Sequence, residues 1–450
     1  MSLAARFAEF VVSAKPPAEA ARRATAAFID TVGVILAGVS EPASRAVQRV
    51  VAAEGGDGSQ VIGTSMRATA AGAALANGTA AHALDFDDMC FVSLAHPSAP
   101  LVPAVIAAGE MTRASGGALL DAYVVGFEIE GRLGRLMNPR HYQRGWHCTS
   151  TIGTIGAAAA ASRLLGLDAG ATAHALAIAA SEASGFKENF GSMVKPLHAG
   201  LAARNGVLAA MFAREGLTAS ARAFEGPQGF LAAMDSERSS VSEADVADLG
   251  TRWEIVDTGI TVKLYPSCAG THPTLDAVLD LRRREGFSAN EVEAVDIQVD
   301  SITPTVLIYE RPASALEGKF SMPFCVAAAL VAGRVGIDTF EPALFTDPTI
   351  AALMPRVRMQ VKPAFDGVAP PLTQAHVTIR LRDGRTFAQA ANGARGYPEQ
   401  PASDRELDDK FLACAKRALP SGTAADVLAM LRAIDDVDDV RDLTRLMRTL

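Results

Sequence analysis

The 450-residue sequence lacks the features that mark several common functional classes. Its five cysteines, Cys90, Cys148, Cys268, Cys325 and Cys414, are scattered and form no CxxC pair, which argues against a disulfide framework or structural zinc and favours a reducing cytoplasm. With 42 basic and 50 acidic residues and no basic block, the chain offers no surface for nucleic acid or an anionic membrane. It contains no GxGxxG after a strand, no Walker loop and no GxSxG, so nucleotide binding and serine-hydrolase chemistry lack support.

Long apolar runs are missing as well. The N-terminal segment has no extended apolar core of the kind found in signal peptides, and runs such as MPFCVAAALVAG fall short of the roughly 20 residues that a membrane span needs. The chain is nevertheless 49% hydrophobic, so it can bury a large core, and its length predicts at least two domains. We therefore expect a soluble, cytoplasmic, globular protein.

The hydrophobic pattern changes once along the chain. Residues 1–260 are Ala-rich with helical spacing and predict an all-helical domain. Within residues 261–395, EAVDIQVDS, VRMQVKP and the hairpin HVTIRLRDGRTFAQA alternate as half-buried strands between helical stretches, which predicts an α+β domain. Residues 396–450 return to helix and are expected to pack on the first domain. The predicted fold is mainly α, with a large discontinuous helical domain from both chain ends and a smaller α+β domain.

The main chemical signal is a cationic or titratable residue at four predicted helix starts. These are His96 before Pro-Ser, His147 before Cys-Thr-Ser, Lys195 in Lys-Pro-Leu-His and His272 before Pro-Thr. Proline and Ser/Thr favour the first turn of a helix, and helix N-termini attract anions. Taken singly, each segment is explained by a helix that opens beside a structural residue. Their recurrence suggests a site for a small polycarboxylate.

The segment HALDFDDMCFVSLAHPS contains three carboxylates and two imidazoles, those of Asp85, Asp87, Asp88, His82 and His96. Asp and His together suit divalent metals, but this spacing is not a recognised ligand signature. The three aspartates, two and three positions apart, are also not expected all to face one point in regular structure. The alternatives are an Asp that orients a catalytic His or the substrate, a His that transfers protons, and a capping role for Asp87 or Asp88.

Two further segments carry candidates for acid/base chemistry and anion binding. His147 stands beside Trp146 and near a helix start, where the neutral imidazole that acts as a base is favoured. Lys195 is interpreted as a carboxylate clamp; a Schiff-base role is the alternative, but no phosphate-binding glycine loop for pyridoxal phosphate accompanies it. His198, two residues after Pro196, has the weaker case and is interpreted as a core or capping residue.

The segment VKLYPSCAGTHPTLDA places Lys263, Cys268 and His272 near the predicted domain junction, where ligand clefts are often found. Cys268 with His272 raises the hypothesis of a cysteine nucleophile, although free cysteines are more often small buried apolar residues. Tyr309 in LIYERP is one of five tyrosines and is either a proton donor or a packing residue.

Five segments together resemble the MmgE/PrpD family, in the family's order. They are HALDFDD with HPS, GWHCTSTIG, KPLHAGLAARNGV, VKLYPSCAGTHPTLDA and KFSMPFCVAAAL. The family contains 2-methylcitrate dehydratase, cis-aconitate decarboxylase and iminodisuccinate epimerase. The resemblance implies a homodimeric enzyme without cofactor or metal, a helical domain built from both chain ends, an α+β lid, and an active site in the cleft between them.

The resemblance also implies site residues. It assigns catalytic positions to His96, His147, Lys195, His272 and Tyr309. Asp85 is carried over with them and, like Lys263, is predicted to bind substrate. All three family reactions pass through negative charge beside a carboxylate, so they need cations together with a placed base and acid.

Met89 is the position at which this sequence departs from part of the family. Decarboxylase-like members have Thr directly after DFDD, and the loop to the HPS histidine is about a residue longer here. The sequence therefore predicts acid/base chemistry beside a carboxylate of a small di- or tricarboxylate, with iminodisuccinate-type epimerisation favoured. A 2-methylcitrate-type dehydratase and a cis-aconitate-type decarboxylase are the alternatives within the family. Outside it, the alternatives are a metal-dependent hydrolase and a non-catalytic helical scaffold; the hydrolase would use Asp85, Asp87, His96 and His147.

Overall fold

The computed structural model describes residues 1–237, 241–367 and 370–449. The helices of its N-terminal part are α1 (Leu3–Ser13), α2 (Ala18–Gly38), α3 (Pro42–Glu54), α4 (Ala70–His82), α5 (Ser98–Thr112), α6 (Gly116–Met137), α7 (Arg140–Gln143), α8 (Cys148–Leu164), α9 (Ala169–Glu182), α10 (Val194–Arg214), α11 (Phe230–Ala233) and α12 (Glu254–Asp257). A two-residue strand pair, β1 (Ser59–Gln60) with β2 (Arg67–Ala68), departs from the all-helical prediction for this part.

The second part is the predicted α+β unit. Its strands are β3 (Val292–Val299), β4 (Val357–Val361), β5 (Gln374–Leu381) and β6 (Thr386–Asn392), in the sheet order β4-β3-β5-β6. Strand β4 runs parallel to β3, and the other neighbours are antiparallel. Its helices are α13 (His272–Glu285), α14 (Thr303–Val306), α15 (Ala315–Gly318), α16 (Met322–Ala332), α17 (Pro342–Phe345) and α18 (Pro348–Leu353). Helices α13 and α16 cover the sheet, and all the strands predicted from alternation are present.

The C-terminal segment returns to the helical part, as predicted. It forms α19 (Asp404–Ala415), α20 (Ser421–Arg432) and α21 (Val440–Leu446). Helix α19 packs along α2, with Phe411 against Gly33, and α21 contacts α5. The mainly α class with a discontinuous helical unit is thereby confirmed. Among the described residues, no single helix is long and apolar enough to cross a membrane; α2 and α3 meet that test only as a pair, bent by 86°.

All four predicted helix starts are present. His147 is the N-cap residue of α8, and His272 is the first residue of α13. Lys195 is the second residue of α10, and His96 lies two residues before the start of α5. Three of these residues, His96, His147 and Lys195, lie around one region, because α4, α5, α8 and α10 pack against one another.

Helices α4 and α10 approach each other through glycine. A Cβ at Gly78 would lie 2.9 Å from the Cα of Gly200, and a Cβ at Gly200 would collide with the Leu75 carbonyl oxygen and the Thr79 side chain. The two backbones are therefore in direct contact, which small residues permit and larger ones do not. This contact places the end of α4 beside the start of α10.

We predict that Gly200→Val destabilises the protein by about 1–3 kcal/mol, because the added carbons must push α4 away from α10. Activity should fall as well, since α4 and α10 carry His82 and Lys195. Thermal unfolding and a rate assay measure the two effects. The control is Gly422→Ala on α20, where a Cβ would meet nothing within 4 Å and a surface change is expected to stay within about 0.5 kcal/mol. A wild-type thermal midpoint for Gly200→Val would contradict the prediction.

Candidate active site

The chain turns sharply after α4, and this turn brings two aspartates together. Asp85 has a left-handed backbone conformation with φ of 52°. Asp85 and Asp87 face one buried space across this irregular turn. The three aspartates do not all face one point, as expected. Asp88 faces away and accepts hydrogen bonds from the amide, at 3.2 Å, and the hydroxyl of Ser98 at the start of α5. The predicted capping role thus belongs to Asp88.

The Asp85 carboxylate is held by two ammonium groups. Its Oδ1 lies 2.5 Å from Nζ of Lys195, and its Oδ2 lies 3.0 Å from Nζ of Lys263. All three side chains are buried. Burial by itself would raise the pKa of Asp85, but the two lysines outweigh it and hold the pKa well below its ordinary value. Asp85 is therefore ionised, and it fixes the position of Lys195.

His82 connects Asp87 to Lys195. Its Nδ1 lies 2.7 Å from Oδ2 of Asp87 and its Nε2 lies 2.8 Å from Nζ of Lys195. Burial lowers the pKa of His82 to about 4, so the ring is neutral near pH 7. The hydrogen-bond pattern assigns its proton to Nδ1, which donates to Asp87, and Nε2 accepts from Lys195. His82 was not among the predicted site residues, although it stands in the HALDFDD segment.

His96 lies over the same carboxylates. Its Nδ1 is 3.3 Å from Oδ2 of Asp87, its Nε2 is 3.9 Å from Oδ1 of Asp85, and its ring meets that of His82 edge to face at 4.6 Å. Burial lowers the pKa of His96 despite the attraction of Asp87. The ring is thus a neutral group that sits within reach of two negative charges.

His147 presents an unpartnered nitrogen. Its Nδ1 lies 3.1 Å from Nδ1 of His198, while its buried Nε2 has no hydrogen-bond partner among the described residues. Burial, followed by repulsion from Lys195, holds the pKa of His147 well below 6.5. If the proton resides on Nδ1 and is donated to His198, then Nε2 carries a free lone pair. This arrangement suits a general base.

These groups surround a cavity of about 20 Å³, which has room for one water molecule and is too small for a dicarboxylate. Its polar and thiol-bearing lining consists of Asp85, His96, Tyr142, His147, Lys195 and Cys268. Its apolar lining consists of Met89, Leu94, Phe190, Ala269, Phe320 and Leu372. Both parts of the fold contribute, so the cavity lies at their junction, where the resemblance places the active site. A substrate can therefore enter only after the lining of the cavity has moved.

Lys195 retains one donor for a ligand. An ammonium group has three N–H bonds, and two of them are directed to Asp85 and His82. Its Nζ also lies 5.3 Å from the ring centre of Phe190 and 5.2 Å from that of Phe320. A cation flanked by aromatic rings in a closed cavity is weakly solvated, so its attraction for a substrate carboxylate is strong.

Three predicted site residues are not among the described residues that line the cavity. Lys263 lies behind Asp85 and is fully buried. His272 has its Nε2 3.1 Å from the carbonyl oxygen of Ser267, and burial lowers its pKa to about 3. The Tyr309 hydroxyl donates to the carbonyl of Phe190 at 2.8 Å. Lys263, His272 and Tyr309 thus support lining segments in this closed state, and their direct roles remain predictions.

Several lining residues were not singled out as site residues from the sequence. Tyr142, Phe190 and Phe320 carried no local signal. His198, interpreted as a core or capping residue, lies behind the lining and contacts His147. Cys268 lines the cavity, but burial raises the pKa of its thiol to about 11, which favours the packing interpretation over the nucleophile. All five cysteines are free and buried.

The metal interpretation requires a test against the donor set. Ligand atoms of His82, Asp85, Asp87 and His96 lie within 4.8 Å of one another. Both oxygens of Asp85 and both ring nitrogens of His82 are, however, already hydrogen-bonded, in part to Lys195. A divalent cation here would have to displace these bonds and sit beside two ammonium groups. The cluster therefore fits a lysine-neutralised acid/base site better than a metal site.

Comparison with known proteins identifies the family. Residues 4–241 match the MmgE/PrpD N-terminal domain and residues 265–436 match the MmgE/PrpD C-terminal domain. The chain is 30% identical over 394 residues to the cis-aconitate decarboxylase of Mus musculus, which covers 84% of this chain and 78% of that protein. It is 28% identical over 472 residues to the cis-aconitate decarboxylase-like protein oryM of Aspergillus oryzae, at 99% and 97% coverage, and 26% identical over 456 residues to the cis-aconitate decarboxylase of Aspergillus terreus, at 96% and 92%. The chain belongs to the MmgE/PrpD family of enzymes.

We predict different kinetic effects for His147→Gln and Lys195→Ala. Loss of a general base should lower kcat by about 10²–10⁴-fold while KM changes little. Loss of the Lys195 ammonium should raise KM as well as lower kcat, because a charged hydrogen bond of about 1.5–3 kcal/mol is lost from the bound substrate and more stabilisation is lost from the transition state, where negative charge develops.

Steady-state kinetics on folded protein measures kcat and KM for both variants. The matched controls are His376→Gln on β5 for His147→Gln and the exposed Lys416→Ala for Lys195→Ala. A wild-type rate for folded His147→Gln would remove His147 from the catalytic residues.

We also predict that the acid limb of kcat/KM lies well below pH 6.5. The neutral imidazole of His147 is the active form and exists above its pKa, which burial holds well below 6.5. Once substrate ionisation has been allowed for, the acid limb should lie below that pH and should disappear in His147→Gln. An enzyme limb at pH 6.5 or above in the pH–rate profile would contradict the assignment.

Proposed function

We propose that this protein is a cofactor-independent enzyme that transfers protons at a carbon next to a carboxylate of a small di- or tricarboxylate. The observation that carries this proposal is the unpartnered Nε2 of His147, beside the remaining N–H of Lys195, in a closed cavity. The base removes a proton from the carbon, and the ammonium group stabilises the negative charge that develops on the adjacent carboxylate. We further propose that it works as a homodimer in the cytoplasm, as the family resemblance implies.

Among the outcomes open to this chemistry, we favour epimerisation of an iminodisuccinate-type substrate. Epimerisation needs one group that removes the proton and another that returns it to the opposite face. His96 and His147 reach the cavity from separate segments; the neutral His147 can remove the proton, and the Lys195 ammonium group can supply the proton that returns. Met89 supports this choice, because its side chain lines the cavity at the position where decarboxylase-like members carry a threonine hydroxyl.

Decarboxylation of a cis-aconitate-type substrate is the second candidate. Relatives named cis-aconitate decarboxylase match this chain over most of its length, at up to 30% identity. In that reaction, carbon dioxide departs and an acid supplies a proton to the carbon that is left negative. The same imidazoles and Lys195 serve as acid and anion clamp, so the two functions differ in substrate and in which groups act as donors.

The experiment is proton NMR of the enzyme in D2O with stereoisomers of iminodisuccinate, cis-aconitate and 2-methylcitrate. We expect the α-proton signal of iminodisuccinate to be lost through exchange with deuterium, with the other stereoisomer formed and no carbon lost. New alkene signals with release of carbon dioxide from cis-aconitate would establish the decarboxylase instead, and alkene formation with loss of water would establish the dehydratase. Absence of exchange and turnover with every acid, in folded protein, would refute the proposed function.

A further inference from the structure

Three buried lysines donate to three consecutive backbone carbonyls in the turn that carries Asp85. The pairs, with their Nζ–O distances, are Lys319 with Leu84 at 2.8 Å, Lys263 with Asp85 at 3.0 Å, and Lys410 with Phe86 at 2.7 Å. We call these three side chains the lysine clamp. Charged donors form shorter and stronger hydrogen bonds than neutral ones, so this turn is held unusually tightly.

The lysines of the clamp come from separate parts of the fold. Lys410 lies on α19 and pairs with the buried Asp30, whose Oδ1 is 2.5 Å away. Lys319 follows α15 in the α+β unit, donates also to the carbonyl of Pro266 at 2.9 Å, and lies 4.1 Å from the ring centre of Phe340. The turn after α4 is thus bound by α19 on one side and by the α+β unit on the other.

The turn requires such support for a stereochemical reason. Asp85 has a positive φ of 52°, a conformation that residues with a Cβ adopt unfavourably and keep only when their surroundings impose it. The direction of its carboxylate depends on that conformation, and the carboxylate in turn fixes Lys195. Lys319 and Lys410 are not among the described residues that line the cavity, and their hydrogen bonds to this turn are made to backbone carbonyls. They therefore act on Asp85 through the backbone.

We propose that Lys319 and Lys410 are positioning residues for the reaction, because they hold the carbonyls on either side of Asp85 and thereby set the geometry of Asp85 and Lys195. The inference rests on the proposed function in so far as that reaction uses Lys195. Since Lys319 belongs to the α+β unit, docking of this unit against α4 completes the polar wall of the cavity. The closed state therefore organises the site as well as enclosing it.

The test is a double-mutant cycle between Lys319→Met and Asp85→Asn, measured as kcat/KM. Methionine keeps the length of the side chain and removes its N–H donors. The two groups that lose a donor, the carbonyls of Leu84 and Pro266, are uncharged. We expect Lys319→Met to lower kcat/KM about 30-fold or more in the wild-type background and less than about threefold in Asp85→Asn, because both changes break one unit. The exposed Lys416→Met is the matched control and should change neither background. An equal loss in both backgrounds would show a merely structural role and overturn the proposal.

Two further variants keep the test decisive. Lys319 borders a cavity of about 260 Å³ between the two units, so Lys319→Arg has room to fit and should recover at least about tenfold of the loss seen with methionine. Lys410→Met alone would leave Asp30 without its ion-pair partner. The effect of Lys410 is therefore measured by comparing the double variant Asp30→Asn/Lys410→Met with the single variant Asp30→Asn. A folded double variant with the rate of the single one would overturn the role of Lys410.

Hydrogen–deuterium exchange tests, without any measurement of the reaction, whether the lysine clamp holds the turn that carries Asp85. The amides of residues 83–88 should exchange at least about tenfold faster in Lys319→Met than in wild type or Lys416→Met. Unchanged exchange would overturn the clamp even if the enzyme is active. If wild type turns over none of the acids, the proposed function fails, and faster exchange at this turn would still establish that Lys319 holds Asp85 in place.

Discussion

The ion pair of Asp85 with Lys195 and Lys263 is the interaction on which the geometry of this site depends. A buried carboxylate without partners is strongly unfavourable, and two buried ammonium groups without it are equally so. Each charge therefore requires the others, and the three come from the turn after α4, the start of α10 and the segment before α13. Removal of Asp85 leaves two neighbouring ammonium groups without their carboxylate, and removal of either lysine leaves the carboxylate with a single cation. Helix packing, loop conformation and side-chain ionisation are coupled through this one group.

Local sequence signals predicted the elements that position the site. Each of the four helix starts combines Pro, Ser or Thr with a titratable residue, and such signals act within a single turn of helix, so His147 and His272 could be placed without knowledge of the fold. The strands followed from alternation, which depends only on which face is buried. In β3, Val295, Ile297 and Val299 are buried, as their spacing predicted.

The parts that the sequence did not reveal depend on contacts between distant residues. His82 meets Lys195 across 113 positions, Lys319 meets Leu84 across 235, and Lys410 meets Phe86 across 324. A lysine that will bind a backbone carbonyl has no local pattern, because its partner is defined by the fold alone. The same holds for the left-handed conformation of Asp85, which no glycine marks. The candidate reactive residues were therefore easier to predict from the sequence than the residues that hold them in position.

The small volume of the closed cavity limits the timing of catalysis. A space of about 20 Å³ admits a water molecule and excludes any dicarboxylate, so the lining must open to admit a substrate and close again in every cycle. Motions of this size take microseconds to milliseconds, and in many enzymes they are slower than the chemical step. Solvent viscosity then becomes a kinetic variable for this protein, since it slows the opening of the lining and leaves proton transfer inside the closed cavity unaffected.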